Sequence, residues 1–271
     1  MGVFMELINI IKDHIKYRQQ IFKLAKADLT KTYRGAALGW AWAIIKPTVT
    51  IFVYWFAFQI GLRAGKSVNG YSFFLWLIAG LVPWFYIGDM ISQGTDAIRK
   101  YKHLVNKMKF PVSTIPTFFS MSKYITNLIL IAIVIVIFMF NGFMPDIYYL
   151  QIPFYILLSF IFFTAWSLFG SMLSCISKDF ANLVKSFVTA VFWLSGILWN
   201  PDTVSNIWLK RVLKVNPVTY LVIGFRNCFI NKVWFWQDYK ELMCFIVLTI
   251  IMIILSLWAY KKLKKEIPDV L

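Results

Sequence analysis

Acidic residues are scarce in this chain. Asp and Glu together number 12 among 271 residues, charged residues make up only 15 %, and there are two histidines and three cysteines. A membrane-embedded glycosyl or phosphoryl transferase would want paired carboxylates or metal ligands within reach of the membrane surface, and the acids here are too scattered for that. His14 and His103 both fall in basic segments. Cys175, Cys228 and Cys244 have no metal-ligand spacing, and their odd number argues against a disulfide framework. No metal site is expected. Neither His-Glu-x-x-His nor Gly-x-Ser-x-Gly occurs. The stretch Gly61-Leu62-Arg63-Ala64-Gly65-Lys66-Ser67 is one residue short of a phosphate-binding loop and lacks the flanking strand and helix that such a loop needs. The N-terminus shows no basic segment followed by an apolar run and a small-residue cleavage site, so no removed signal peptide is expected.

What fills the chain is apolar. Hydrophobic residues reach 60 %, with 26 Phe and 12 Trp. A soluble domain runs nearer half apolar and about a quarter charged. The excess needs lipid as its solvent, and rings in this number suit interfacial belts and lined conduits. The net charge of +16 would suggest nucleic acid in a soluble protein. No RNA-binding signature or zinc-finger spacing accompanies it. In a membrane protein the charge reads as basic cytoplasmic loops facing anionic lipid.

The pattern predicts an all-α integral membrane protein with six transmembrane helices. Residues 1–37 alternate a greasy stripe (Leu7, Ile10, Ile11, Ile15, Ile21, Leu24, Ala25) with a basic face, as in a helix lying in the membrane interface. A transmembrane domain is expected over 38–260. Its spans run about Leu38–Leu62, Phe73–Ser92, Ile115–Phe140, Ile152–Ile176, Leu183–Trp199 and Leu242–Tyr260. Lys46-Pro47 should kink the first span, and the fifth is short for a crossing. Between 200 and 240 the apolar pieces are too short to span and read as re-entrant segments, tolerated at membrane depth only when shielded by protein or lining a wet cavity. A basic tail, 261–271, closes the chain.

Basic residues set the orientation. They crowd the N-tail, the segment after span two, the loop after span four and the C-tail, so both termini are expected in the cytoplasm. The segment from Asp96 to Lys109 spaces Ile98, Tyr101, Leu104, Val105 and Met108 helically beside Arg99, Lys100, Lys102, Lys107 and Lys109. Such a helix suits insertion into a groove of a soluble partner or adsorption to anionic lipid. Among ionisable residues within spans, Lys46 and Asp89 lie toward the cytoplasmic ends of spans one and two. They are expected to pair, or to line a wet entrance, unless Lys46 snorkels to the interface. Lys123 is expected to snorkel.

Several stretches resemble the ABC-2 type polysaccharide exporter permeases. They are Tyr33-Arg34-Gly35, Leu38-Gly39-Trp40-Ala41-Trp42 with Lys46-Pro47, Val53-Tyr54-Trp55-Phe56-Ala57-Phe58, Val82-Pro83-Trp84-Phe85, Asn106-Lys107-Met108-Lys109-Phe110-Pro111, and Asn216-Pro217 with Gly224-Phe225-Arg226. Within the family the chain is most similar to wall teichoic acid exporter permeases, and the O-antigen and capsule exporters share most of these features. The resemblance implies a homodimeric permease of the bacterial cytoplasmic membrane that is not itself an enzyme. ATP and Mg would be bound by a partner ATP-binding cassette subunit, and the cargo would be a polymer carried on undecaprenyl diphosphate. It makes residues 96–110 a coupling helix, with Arg99, Tyr101, Lys102, Leu104 and Val105 toward the ATPase. It makes the N-terminal segment an interface helix and 200–226 a pair of external re-entrant gate helices with Asn216 and Pro217. The expected substrate path is lined by Trp42, Phe56, Phe192, Trp193 and Trp199, with Tyr33 and Arg34 at the lipid-head entrance. A drug or small-lipid exporter of the same architecture is the main rival, although many of those carry a large external domain that this chain lacks.

Overall fold

The computed structural model describes residues 2–63, 65, 67–108 and 110–267. Lys66, Lys109 and the last residues of the expected basic tail, 268–271, lie outside them. Regular structure among the described residues is helical: α1 Gly2–Lys16, α2 Arg18–Tyr33, α3 Trp42–Trp55, α4 Phe73–Ser92, α5 Ala97–Lys100, α6 Lys102–Met108, α7 Ile115–Phe140, α8 Ile152–Ile176, α9 Lys178–Leu194, α10 Ile207–Val215, α11 Pro217–Arg226 and α12 Tyr239–Leu263. Five stretches are long and apolar enough to cross a membrane: Gly39–Gly61, Phe73–Val105, Val112–Phe140, Ile147–Ile176 and Tyr239–Leu263.

The sixth expected crossing is the exception. α9 has 17 residues, about 25 Å at 1.5 Å per residue, against a hydrocarbon core of roughly 30 Å. It stops at Leu194 instead of reaching Trp199. The chain turns at Gly196, whose φ of +63° suits glycine. The Trp199 indole N–H then donates to the Trp193 carbonyl at 2.8 Å and pins the turn.

α4 is the axis of the bundle. Most of its residues from Phe73 to Ile91 are buried, and it packs against α7, α8, α9 and α11. Ser72 caps its start by accepting from the Leu75 N–H. Small residues let α8 approach the turn that follows α4. Ser167 Oγ donates to the Gly94 carbonyl and Ser174 Oγ to the Thr95 carbonyl, both at 2.7 Å. Interhelical bonds of this kind hold helices together where lipid supplies no hydrophobic drive.

α3 lies at the other extreme and buries only Ala43. Pro47 falls inside it and leaves the Ala43 carbonyl without its helical partner. The helix continues through a wide π turn, Phe56–Gly61, which shifts the face it presents. Val49, Phe52, Val53, Phe56 and Ile60 of this segment, with Leu183, Phe187, Trp193 and Leu194 of α9, remain exposed.

The N-terminal segment is two helices that break at Tyr17, whose ring meets Phe110 edge-on at 5.7 Å. α1 packs beside α12, and Glu6 pairs with Lys264 at 2.7 Å. His14 bonds the Thr117 hydroxyl at 2.7 Å. α2 lies against α7.

Candidate functional site: a cavity and a charged junction at one end of the bundle

The apolar stripe of α2 runs Ile21, Leu24, Ala25, Asp28, Leu29, at helical spacing. An acid therefore sits on the face that turns inward, and its carboxylate is 3 % exposed. A buried carboxylate is tolerable only when paired and hydrogen-bonded. Asp28 meets that condition through residues of other helices. Ser122 Oγ of α7 donates to Oδ2 at 2.6 Å, Lys100 Nζ of α5 donates to Oδ1 at 3.1 Å, and the Tyr101 hydroxyl makes a short bond to the same oxygen. Burial pushes the Asp28 carboxyl up, but Ser122, Tyr101 and Lys100 together outweigh it and hold it below its ordinary range. The junction ties α2 to the segment after α4. A second ion pair, Asp96 with Lys185, ties the same segment to α9.

Beside this junction lies a cavity of about 200 Å³ lined by Tyr33, Trp42, Lys46, Asp89, Lys123 and Asn127 among others. Lys46 and Asp89 share it, but they do not pair. Asp89 Oδ2 meets Lys123 Nζ at 2.9 Å. Gln93 closes a triangle, donating to Asp89 Oδ1 at 2.6 Å and accepting from Lys123 at 2.9 Å. Lys123 reaches Asp89 across the α4–α7 contact, whereas Lys46 lies 5.8 Å from the Trp42 ring and makes no ion pair among the described residues. The expected Lys46–Asp89 pair is thus corrected to Lys123–Asp89, and Lys46 remains the cation facing the cavity. The Asn127 amide donates to the Val82 carbonyl at 2.7 Å while its own oxygen, buried, has no partner among the described residues.

The expected path residues separate into three groups. Tyr33 and Trp42 line the cavity. Arg34 lies in a different, basic cleft with Lys23, Lys26, Thr30 and Lys31. Phe56 and Trp193 sit on the exposed α3–α9 face, where they are 50 % and 46 % exposed. Phe192 belongs to none of these. Its ring is buried between Tyr54 and Trp84, 5.2 Å from each, because it points from α9 toward α4 and not outward. Trp199 is half-buried and serves the turn described above.

A family model described as ABC-2 type transporter matches residues 19–230, which covers most of the chain, including this site. The chain belongs to the ABC-2 type transporter family. It is similar to the O-antigen export system permease protein RfbA of Myxococcus xanthus, 23 % identical over 224 residues, covering 82 % of this chain and 85 % of the relative. It is also similar to the protein of the same name from Klebsiella pneumoniae, 24 % identical over 249 residues, covering 92 % and 93 %.

In this ABC-2 chain the segment expected to couple to a partner is helical, but its apolar face turns inward. It forms a 3₁₀ turn, Gly94–Asp96, then α5 and α6. Its apolar stripe is buried in the chain's own core: Ile98, Tyr101 and Leu104 are 0 %, 5 % and 3 % exposed. Tyr101 and Leu104 therefore cannot be contact residues for another protein, and Val105 is partly covered. Lys102 and His103 are exposed and Arg99 half-exposed, so the exposed face of the segment is basic. At the opposite end, Asn216 Oδ1 accepts from the Val218 N–H and its amide donates to Ser195 Oγ, each at 2.9 Å, while Pro217 starts α11. Of the expected pair of re-entrant helices, α11 is buried and α10 is mostly exposed.

Sequence reading missed two buried charges. Asp28 was visible as an acid on an apolar stripe. Arg226 carries no such signal, and it is 2 % exposed. Its guanidinium lies 3.4 Å from the Trp76 ring centroid and donates to the carbonyls of Gly196 (2.7 Å) and Ile197. Gly80 makes room for it, since a Cβ there would stand 2.3 Å from a guanidinium nitrogen.

Proposed function

We propose that the chain is the membrane permease of an ATP-driven exporter that moves a lipid-linked cell-surface glycan out of a bacterial cytoplasm, of the O-antigen kind and not wall teichoic acid. The observation that carries this reading is the exposed aromatic and aliphatic face along α3 and α9, next to a polar cavity with a cation at its wall. One helix serves both: Trp42 and Lys46 of α3 line the cavity, and Phe52 and Phe56 continue onto the open face. Two copies facing each other across α3 and α9 would cover that apolar surface and enclose a path between them. Rings along such a path give a sugar chain contact without a fixed register, which suits a sliding polymer. Lys46 would meet the anionic head of the lipid carrier, and the basic cleft around Arg34 would gather it from the membrane surface. The names of the relatives favour a glycan over a polyol phosphate.

In this reading an ATP-binding partner, with Mg, sits against the basic face of α5 and α6. Its movement reaches α2 through Lys100 and Tyr101 on Asp28, and α9 through Asp96 on Lys185. One segment would thereby shift both the lipid entrance and one wall of the path. For both termini to lie on the partner's side, α9 with its following turn must serve as the sixth crossing.

The test is chemical. In cells depleted of this chain, lipid-linked polymer should accumulate on the cytoplasmic side and clear when the chain is restored. Accumulated material made of sugar repeats supports the glycan reading. Polyol phosphate material would return the assignment to teichoic acid, and no accumulating polymer would remove the exporter reading.

A further inference from the structure

A second polar cavity, of about 410 Å³, opens at the end of the bundle remote from α5 and α6. It lies among the starts of α4 and α12, the start of α8, and α11. Its volume falls within the roughly 300–1,000 Å³ of small-molecule sites. Export as described above needs nothing here, since the α3–α9 face supplies the path.

The wall chemistry is specific. Trp76, Tyr155 and Tyr220 contribute rings. Amides form a relay: Asn69 donates to Asn231 at 3.3 Å, Asn231 to Asn227 at 2.8 Å, and Asn227 to Asp238 Oδ2 at 3.0 Å. Donors and acceptors are both left over. A guanidinium carries five N–H groups, and three hydrogen bonds are recorded for Arg226. The Tyr220 hydroxyl, at the cavity wall and buried, makes no hydrogen bond among the described residues. Asn227 bonds only one oxygen of Asp238, and Glu241 makes no ion pair among the described residues. Charge is nearly balanced. Lys210 at 2.8 Å and Lys214 at 2.9 Å both meet Asp202, and these two lysines with Arg226 are matched by Asp202, Asp238 and Glu241. A phosphate would require an excess of cations, and a metal ion would require converging carboxylates. Neighbouring donors and acceptors beside aromatic faces match vicinal hydroxyls on a sugar ring, whose C–H face lies on the rings.

We propose that this cavity is a saccharide site that holds a short, uncharged stretch of the exported glycan at the exit end of each copy, apart from the path itself. The inference rests on the export reading, and its test separates the two. A photoreactive benzoylphenylalanine is placed at position 231, on the cavity wall, or at position 193, on the α3–α9 face, in cells that assemble the full transporter and make the polymer. Adducts between chain and glycan are then scored after illumination. The expected result is an adduct at both positions. Tyr220→Phe or Glu241→Gln should lower the adduct at 231 by about fivefold, the worth of one hydrogen bond to a bound hydroxyl, and leave that at 193 unchanged. Both substitutions keep size and shape, and an unchanged adduct at 193 verifies that each variant is assembled. An adduct at 193 alone overturns the site and leaves the export reading standing. An adduct at 231 indifferent to both substitutions also overturns it, because the glycan would then only be passing by. Adducts at neither position overturn both.

Discussion

Among the described residues two charges are buried, one near each end of the bundle, and they are stabilised by opposite means. Asp28 is held by side chains from separate helices, α5, α7 and the residue between α5 and α6. Arg226 is held by backbone carbonyls of the turn after α9, those of Gly196 and Ile197, and by the face of Trp76. The acid is a junction between separate elements, α2, α7 and the segment after α4. The base is a fastener within one packed unit of α4, α9 and α11. The difference separates the two ends of the bundle: the end held by side-chain partners carries α5 and α6, and the end held by carbonyl partners carries the turn before α10.

Breaking the fastener should cost most. Arg226→Ala empties a fully buried site, orphans the carbonyls of Gly196 and Ile197, and removes the contact with Trp76. We expect a loss of about 3–5 kcal/mol, read as a collapse of the monodisperse detergent-solubilised protein on heating. Asp28→Ala should cost about 3 kcal/mol, because it strands the Lys100 ammonium and two hydroxyls. Its signature should be functional, with the ATPase partner still bound and hydrolysing while export falls. Equal loss of binding and export would make the junction merely structural.

A pH series sharpens the same contrast. The carboxyl of Asp28 lies below its ordinary value in the folded protein. Its contribution is therefore fully present above the unfolded value of about 3.9 and is lost as pH falls through the folded value. The native chain should lose stability under acid in a step that Asp28→Ala lacks. Arg226→Ala should retain the step. The smallest effect is expected at Asp89, whose side chain is 39 % exposed. Lys123→Met should cost under about 1 kcal/mol in a thermal melt, with Lys46 left as the cavity's cation.

Long apolar runs were legible in the sequence, and five of the six expected spans coincide with helices of crossing length. The short α9 was legible as short, but its end was not, because the stop depends on Gly196 turning and on the Trp199–Trp193 bond. Periodicity identified a face on the segment after α4 without identifying what covers it. Ile98, Tyr101 and Leu104 were read as an outward surface and are core. Asp28 was readable in principle, since an acid at the i+7 position of an apolar stripe demands partners. Arg226 was not, because its partners are carbonyls 29 and 30 residues away, and backbone acceptors leave no trace in side-chain pattern. Lys123 was assigned to the interface because sequence gave its depth in α7 but not its distance to Asp89.

The claim on which the rest depends is that cargo travels along α3 and α9. In a chain carrying Cys244→Ser, so that only the buried Cys175 and Cys228 remain, a bulky maleimide is attached to Phe56→Cys in assembled, polymer-producing cells. The account predicts that export stops upon labelling while the partner ATPase remains bound. Export continuing at the unlabelled rate would contradict it.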